Sequence, residues 1–303
     1  MMRSLYSGIS GLRNHQTRMD VIGNNIANVN TTGYKASRVI FQDIFSQTVK
    51  TGSAGMGPGE GIGGTNAIQI GLGIRLSTID VLHSPAPFAR TDNPTDMTIN
   101  GDGYFIVAYP LARDPDADVD DDNPPPDFGY YYTRAGNFRI DDLGYLVTSD
   151  GFYVMGYEVR NVAEEGDPPY YRPVSMTLEP INIDDQDVQF TVDDNGMISV
   201  IREGERETIF QLGIGMFSNP SGLEKAGNSL YRQSSSSGIV NLSFGNDVLF
   251  GTGSISGGGL EMSNVDLATE FTDMIVTQRG FQANSRIITV SDSMLEELVN
   301  LKR

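Results

Sequence analysis

Three short stretches of this chain carry residue types at spacings that chemistry uses. Gly59, Gly61 and Gly64 fall as G-x-G-x-x-G, the string that cradles a dinucleotide pyrophosphate when a strand feeds it and a helix follows. Here no β-prone run precedes it, no helix signal follows, and no acidic residue stands where a ribose would need one. A glycine-rich linker is the better reading. Asp114, Asp116 and Asp118 alternate like the start of a calcium loop. That loop needs glycine at its sixth position and glutamate at its twelfth, and Val119 and Pro125 stand there instead. The stretch reads as a solvated acidic surface loop. The two histidines, His15 and His83, are far apart, and there is no cysteine to join them in a metal or nucleophile set. Tyr130, Tyr131 and Tyr132 at β spacing read as strand packing rather than a stacking platform. No catalytic, cofactor or metal constellation emerges, and no enzyme is expected.

Composition narrows the alternatives. The 303 residues carry 39 acidic and 21 basic side chains, a net charge of −18. That balance disfavours nucleic acid and anionic membrane, whose affinity rests on cationic contacts. Without cysteine, disulfides are excluded. The first residues lack the apolar core of a cleavable secretory signal, and no apolar run approaches the length of a membrane span. With 35 glycines and 14 prolines the body is expected to be rich in turns and strands rather than a helical bundle.

The ends differ from the middle. Leu5, Leu12, Met19 and Ile26 repeat by seven, and so do Leu267, Met274, Phe281, Ile288 and Leu295. Such a repeat describes a helix seam that stays against a partner while supercoiling. At 1.5 Å per residue the two segments would span about 39 Å and about 55 Å, longer than most single domains. Ser263, Asn264 and Asp266 are candidate N-caps for the second helix, and Lys302 and Arg303 place positive charge at its end. Polar residues interrupt both seams: Gln278 in the second, and Asn24, Asn25 and Asn28 crowding the last turns of the first. Asparagine is a poor helix former because its side chain competes for backbone hydrogen bonds. These amides are therefore expected to be satisfied by neighbouring copies of the chain.

Between the ends, short β-prone runs alternate with Asp/Gly turns, notably Asp141-Asp142-Leu143-Gly144 and Asp193-Asp194-Asn195-Gly196. The predicted fold is α+β: long N- and C-terminal helices pairing as a coiled coil, with an inserted antiparallel β-rich domain. The expected boundaries are an N-terminal helix over 1–32, a glycine-rich connecting region over 33–75, a β-rich domain over 76–261 and a C-terminal helix over 262–303.

With both ends and the hairpins in view, the chain resembles the axial proteins of the bacterial flagellum. The resemblance lies in "LYSGISGLRNHQTRMDVIGNNIANVNTTGYKASRVIF", in "LEMSNVDLATEFTDMIVTQRGFQANSRIITVSDSMLEELVNLKR", and in "GDGYFIV", "YYTRAGNFRIDDLGYLVTSDG" and "FSNPSGLEKAGNSLY" between them. Within that family the hook subunit is the nearer pattern, through "MIVTQRGFQANSR" and "ELVNLKR". The distal rod subunit is the alternative, through the glycine-rich insertion at Thr48 to Ile68. The resemblance implies a helical homo-oligomeric tube lined by the terminal helices, which as a hook would be a flexible joint carrying motor torque to the filament. It also implies rod and hook-filament junction proteins, a hook cap and the type III export apparatus as partners. Export without a cleaved signal, to an extracellular place in the flagellum, follows from it too. The subunit interface would then include Leu5, Leu12, Met19, Asn24, Asn25, Ile26 and Asn28. From the far end it would include Leu267, Met274, Gln278, Phe281, Ile288 and Leu295.

Overall fold

A computed structural model describes residues 2–54, 64–110, 128–161, 171–173, 177–183, 190–202, 205–244 and 251–301. Most of the G-x-G-x-x-G string, the acidic insert from Asp114 to Asp127, and Lys302 and Arg303 lie outside the described residues. The architecture is α+β, with helix α1 (Met2–Ala27) at one end, helix α2 (Leu267–Leu301) at the other, and strands between. The chain divides into two units. One comprises residues 1–28, 36–82 and 265–303, the other residues 29–35 and 83–264.

In the helical unit, α1 stops where its own asparagines turn on the backbone. The Asn28 amide donates to the Asn24 carbonyl at 2.9 Å and to the Asn24 side chain at 2.6 Å. At α2 the cap is Asp266, whose carboxylate accepts from the Ala268 N–H at 3.0 Å and the Thr269 hydroxyl at 2.8 Å. These bonds hold its carboxyl below the usual range. Beside the helices run two antiparallel ribbons. β1 (Ser37–Asp43) pairs with β4 (Ile74–Val81), and β2 (Ser46–Lys50) pairs with β3 (Ile68–Gly71). Part of the glycine-rich stretch read as linker or loop is therefore strand. Thr48-Val49 and Ile68-Gln69-Ile70 supply enough β-branched residues to pair despite the glycines around them. Gly73 turns the chain between β3 and β4 with φ of +124°, and a side chain there would strike the Ser10 hydroxyl of α1.

The β unit is built on an extended sheet whose longest strand, Glu205–Met216, pairs with four others. Both faces are covered. Along Tyr104–Pro110, Phe105 and Val107 enter one buried apolar cluster while Tyr104, Ile106 and Ala108 enter another. Alternation by two on a strand buried on both sides explains why "YFIVA" is apolar throughout. The two Asp/Gly turns are hairpin connections as expected. Gly144 (φ +84°) donates its N–H to the Asp141 carbonyl at 2.9 Å, and Gly196 (φ +74°) to Asp193 at 2.8 Å.

His83 sits inside the β unit, with its Nδ1 2.6 Å from the Tyr104 hydroxyl and its ring against Tyr231. Burial, then the cations Lys35, Arg134 and Lys225, push its pKa down to about 4, with the Pro220 backbone working the other way. The folded ring is thus neutral, while an unfolded chain protonates near 6.5. Stability conferred by the neutral ring is present above pH 6.5 and is lost as pH falls through 4, by up to about 3 kcal/mol. Thermal unfolding between pH 7 and pH 4 is expected to show this loss in the natural chain and to be flatter in His83→Phe. An identical slope in the two would place the titration elsewhere.

Candidate assembly surface

α1 and α2 pack antiparallel. Along the pair, Asn25 meets Glu270, Arg18 meets Asp273, His15 lies over Gly280, and Gly11 and Gly8 lie against Asn284 and Ile288. On α1 the touching residues are therefore Gly8, His15, Gly11, Arg18 and Asn25, with buried Ile22 on the same side. A Cβ at Gly11 would lie 2.7–2.9 Å from the Asn284 amide, and one at Gly280 2.7 Å from the His15 ring. The close approach of the helices depends on these glycines.

The buried line of α2 is polar. Thr277 is fully buried, with its hydroxyl donating to the Asp273 carbonyl at 2.7 Å, and Ser291 does the same to Ile287 at 2.7 Å. Asn284 donates to the Gly280 carbonyl at 3.0 Å. Each side chain is satisfied on its own helix, so the line can be buried without a polar debt. Burial raises the Glu270 carboxyl, with the Asn25 amide opposing it. Burial, then Arg18, lowers His15.

The residues of the seven-residue repeats flank this line rather than form it. Leu5, Leu12, Met19 and Ile26 on α1 and Met274, Ile288 and Leu295 on α2 are half-buried. Leu267 and Phe281 are exposed, Phe281 at 38%, and Gln278 and Asn24 are exposed as well. Of this set the structure joins Ile288 to Gly8 and Asn25 to Glu270. Beyond it, Phe271 and Ile275 near the start of α2, and Val290, Met294 and Leu298 near its end, are spaced by four within each group and are all exposed. These two exposed apolar patches on the 35-residue helix are candidate interaction surfaces.

The asparagines correct one expectation. Asn25 is buried and its amide is used within the chain: Nδ2 donates to the Ser37 carbonyl and to Glu270, each at 2.9 Å, and Oδ1 accepts from the Ser37 N–H at 3.0 Å. It pairs with Ser37 as a strand neighbour would, because α1 ends where β1 begins and a bare strand edge must be satisfied. Asn28 bonds back to Asn24. No apolar repeat marks the glycine contact line. Gly8 and Gly11 inside a helix, each costing about 1 kcal/mol against alanine, were its signal.

The β2–β3 ribbon is a second exposed apolar feature. All nine of its residues are exposed, and beside it stands Phe45 at 74%. An isolated two-stranded ribbon is marginal in water and gains from being covered. Among the described residues there is no group of three or more side chains able to hold a metal, and no helix is long and apolar enough to cross a membrane.

Three family models match the chain. Residues 5–35 match "Flagella basal body rod protein". Residues 123–200 match "Flagellar hook protein FlgE/F/G D1 domain", and residues 256–301 match "Flagellar basal body rod FlgEFG protein C-terminal". The flagellar basal-body rod protein FlgG of Bacillus subtilis is 46% identical over 304 positions, covering all of both chains. FlgG of Buchnera aphidicola from Acyrthosiphon pisum is 33% identical over 304 positions, covering 99% of this chain and all of its own. The flagellar hook protein FlgE of Borreliella burgdorferi is 31% identical over 452 positions, covering all of both chains.

Proposed function

The chain belongs to the family of flagellar rod and hook proteins, and on that premise we propose that it is a rod-type structural subunit of the flagellar axis. The family is structural. One observation carries rod over hook: the Bacillus subtilis rod protein aligns end to end over 304 positions, whereas the hook alignment runs to 452 and leaves long segments without a counterpart here. The β2–β3 ribbon brackets the glycine-rich insertion at Thr48 to Ile68 that the sequence ties to the distal rod. The hook remains the second reading, supported by full-length likeness to FlgE and by the two C-terminal motifs.

In this reading copies stack into a helical tube. The exposed and half-buried apolar residues of α1 and α2 meet those of neighbouring copies, the paired helices continuing as a coiled coil. Leu5, Leu12, Met19, Asn24, Ile26 and Asn28 would meet Leu267, Met274, Gln278, Phe281, Ile288 and Leu295 of adjacent subunits. The β2–β3 ribbon is covered by a further copy. Rod, hook and junction proteins at the two ends of the tube, the cap and the export apparatus are the other partners of the reading.

Immunogold labelling of an epitope inserted between Asp114 and Asp127 separates the readings. Label confined within the cell envelope is expected. Label on the curved segment outside the cell would give the hook instead, and a protein found only as a free monomer would end both.

A further inference from the structure

The two most distant signature stretches of the chain meet in a buried charge cluster inside the β unit. Lys35 lies near the end of the first signature and Glu261 near the start of the second, 226 residues apart. Lys35 is 1% exposed, Glu261 3% and Arg134 4%. The Lys35 ammonium donates to Glu261 Oε1 at 2.6 Å and to the Ser84 carbonyl at 2.7 Å. The same Oε1 accepts from the Ala86 N–H at 3.1 Å, and Oε2 accepts from Arg134 Nη1 at 3.2 Å. The main-chain carbonyl of Glu261 accepts from the Gly33 N–H at 2.8 Å. One residue therefore ties down residues 33–35, residues 84–86 and Arg134.

The charges are unequal. Two buried cations share one carboxylate, the only one paired with either among the described residues. Burial depresses the Lys35 amine while Glu261 holds it up. A buried ion pair adds little over an apolar replacement, but removing one partner leaves an uncompensated charge and is strongly unfavourable. Here removal of the carboxylate would strand both cations. Arg134 keeps the carbonyls of Ile99 and Gly101 as acceptors. Lys35 keeps only that of Ser84 among its described side-chain partners, so it is the group that must leave.

We propose that Glu261 is the closing piece of a buried latch: the carboxylate that arrives with the carboxy-terminal signature locks Lys35, and with it residues 29–35, into the β unit. That unit then seals its root only around a chain whose two ends are both in place, and an incomplete chain keeps residues 29–35 loose. Arg134 also lies over the ring of Tyr104 in the smaller apolar cluster, so the latch is expected to release at Lys35, with residues 29–35, and not at Arg134.

The test is acylation of lysine amines on the full chain, read residue by residue by mass spectrometry, with exposed Lys50 as reference. In the natural chain Lys35 is expected to react far more slowly than Lys50. In Glu261→Gln, Lys35 should react at least about tenfold faster, the scale of losing a hydrogen bond between charged groups, while amide exchange at Phe105 and Leu212 is unchanged. Equal Lys35 reactivity in the two chains would overturn the latch. Should Glu261→Gln lose its β-sheet signal altogether, the triple variant Lys35→Met, Arg134→Met, Glu261→Met decides. A regained sheet with the Gly33 N–H protected supports charge pairing as the lock. A triple variant that stays unfolded shows the cluster to be ordinary scaffold and overturns the proposal.

Discussion

Phe281→Asp is expected to give a soluble, folded monomer that forms no tubes and supports no motility. In the single chain Phe281 is 38% exposed, beside and not within the polar contact line of Thr277, Asn284 and Ser291. An aspartate there can reach water, so α2 keeps its place on α1 and the β unit is untouched. Assembly is another matter. Burying the remaining surface of a phenylalanine contributes part of the about 1.5–3 kcal/mol its full burial is worth. The aspartate instead brings a charge without a partner into an apolar contact. In a helical polymer every copy carries the defect at each equivalent contact, so the loss compounds along the tube. Sedimentation and negative-stain microscopy should show monomers only, with circular dichroism and thermal unfolding as in the natural chain. Normal tubes would mean that Phe281 faces solvent in the assembly. Loss of the β signal would mean that α2 supports the sheet.

What the sequence disclosed follows from what periodicity can carry. The two helices were legible because a seven-residue repeat and an aspartate cap are local signals, though α1 stops at Ala27, short of the expected 32. The hairpins were legible because Asp-Asp-x-Gly turns demand a glycine at positive φ. The apolar repeat flanks the line along which the two helices touch, which includes Gly8, Gly11 and Gly280, with Thr277 and Ser291 buried along α2. An apolarity pattern is blind to these, since small and self-satisfied residues are chosen for distance of approach and not for burial of area. Asn25 looked like a group awaiting another subunit because its partners, Ser37 and Glu270, lie 12 and 245 residues away. The Lys35–Glu261 pair was hidden for the same reason: charge complementarity between two ends of a chain leaves no spacing to read. The proposed rod reading rests on length and collinearity with a rod protein and not on a motif.

The largest stability effect expected within the β unit comes from one methyl group. A Cβ on Gly136 would point directly into the carbonyl oxygen of Met97 and lie 2.7 Å from its carbonyl carbon. Those two segments cannot simply move apart. The Met97 N–H donates to the Gly136 carbonyl at 3.0 Å, the Phe138 N–H donates to the same oxygen at 3.0 Å, and Asp96 bridges Asn137. Met97 and Phe138 are both buried in the larger apolar cluster. Relief of the clash therefore breaks a buried backbone hydrogen bond and withdraws two core side chains together. Overpacking against side chains alone costs about 1–3 kcal/mol; against backbone that is held at both ends, Gly136→Ala should cost about 3–5 kcal/mol, in the exceptional class for a single substitution. Gly23→Ala is the matched control, since a Cβ there meets nothing within 4 Å and the residue lies inside α1. It should stabilise the helix by about 0.5–1 kcal/mol through lost unfolded-state entropy. The chain has no tryptophan and 13 tyrosines, so urea unfolding followed by tyrosine fluorescence reports mainly on the β unit. A cost below about 1 kcal/mol for Gly136→Ala would show that the strand Met97–Asn100 yields more easily than its hydrogen bonds and buried side chains imply.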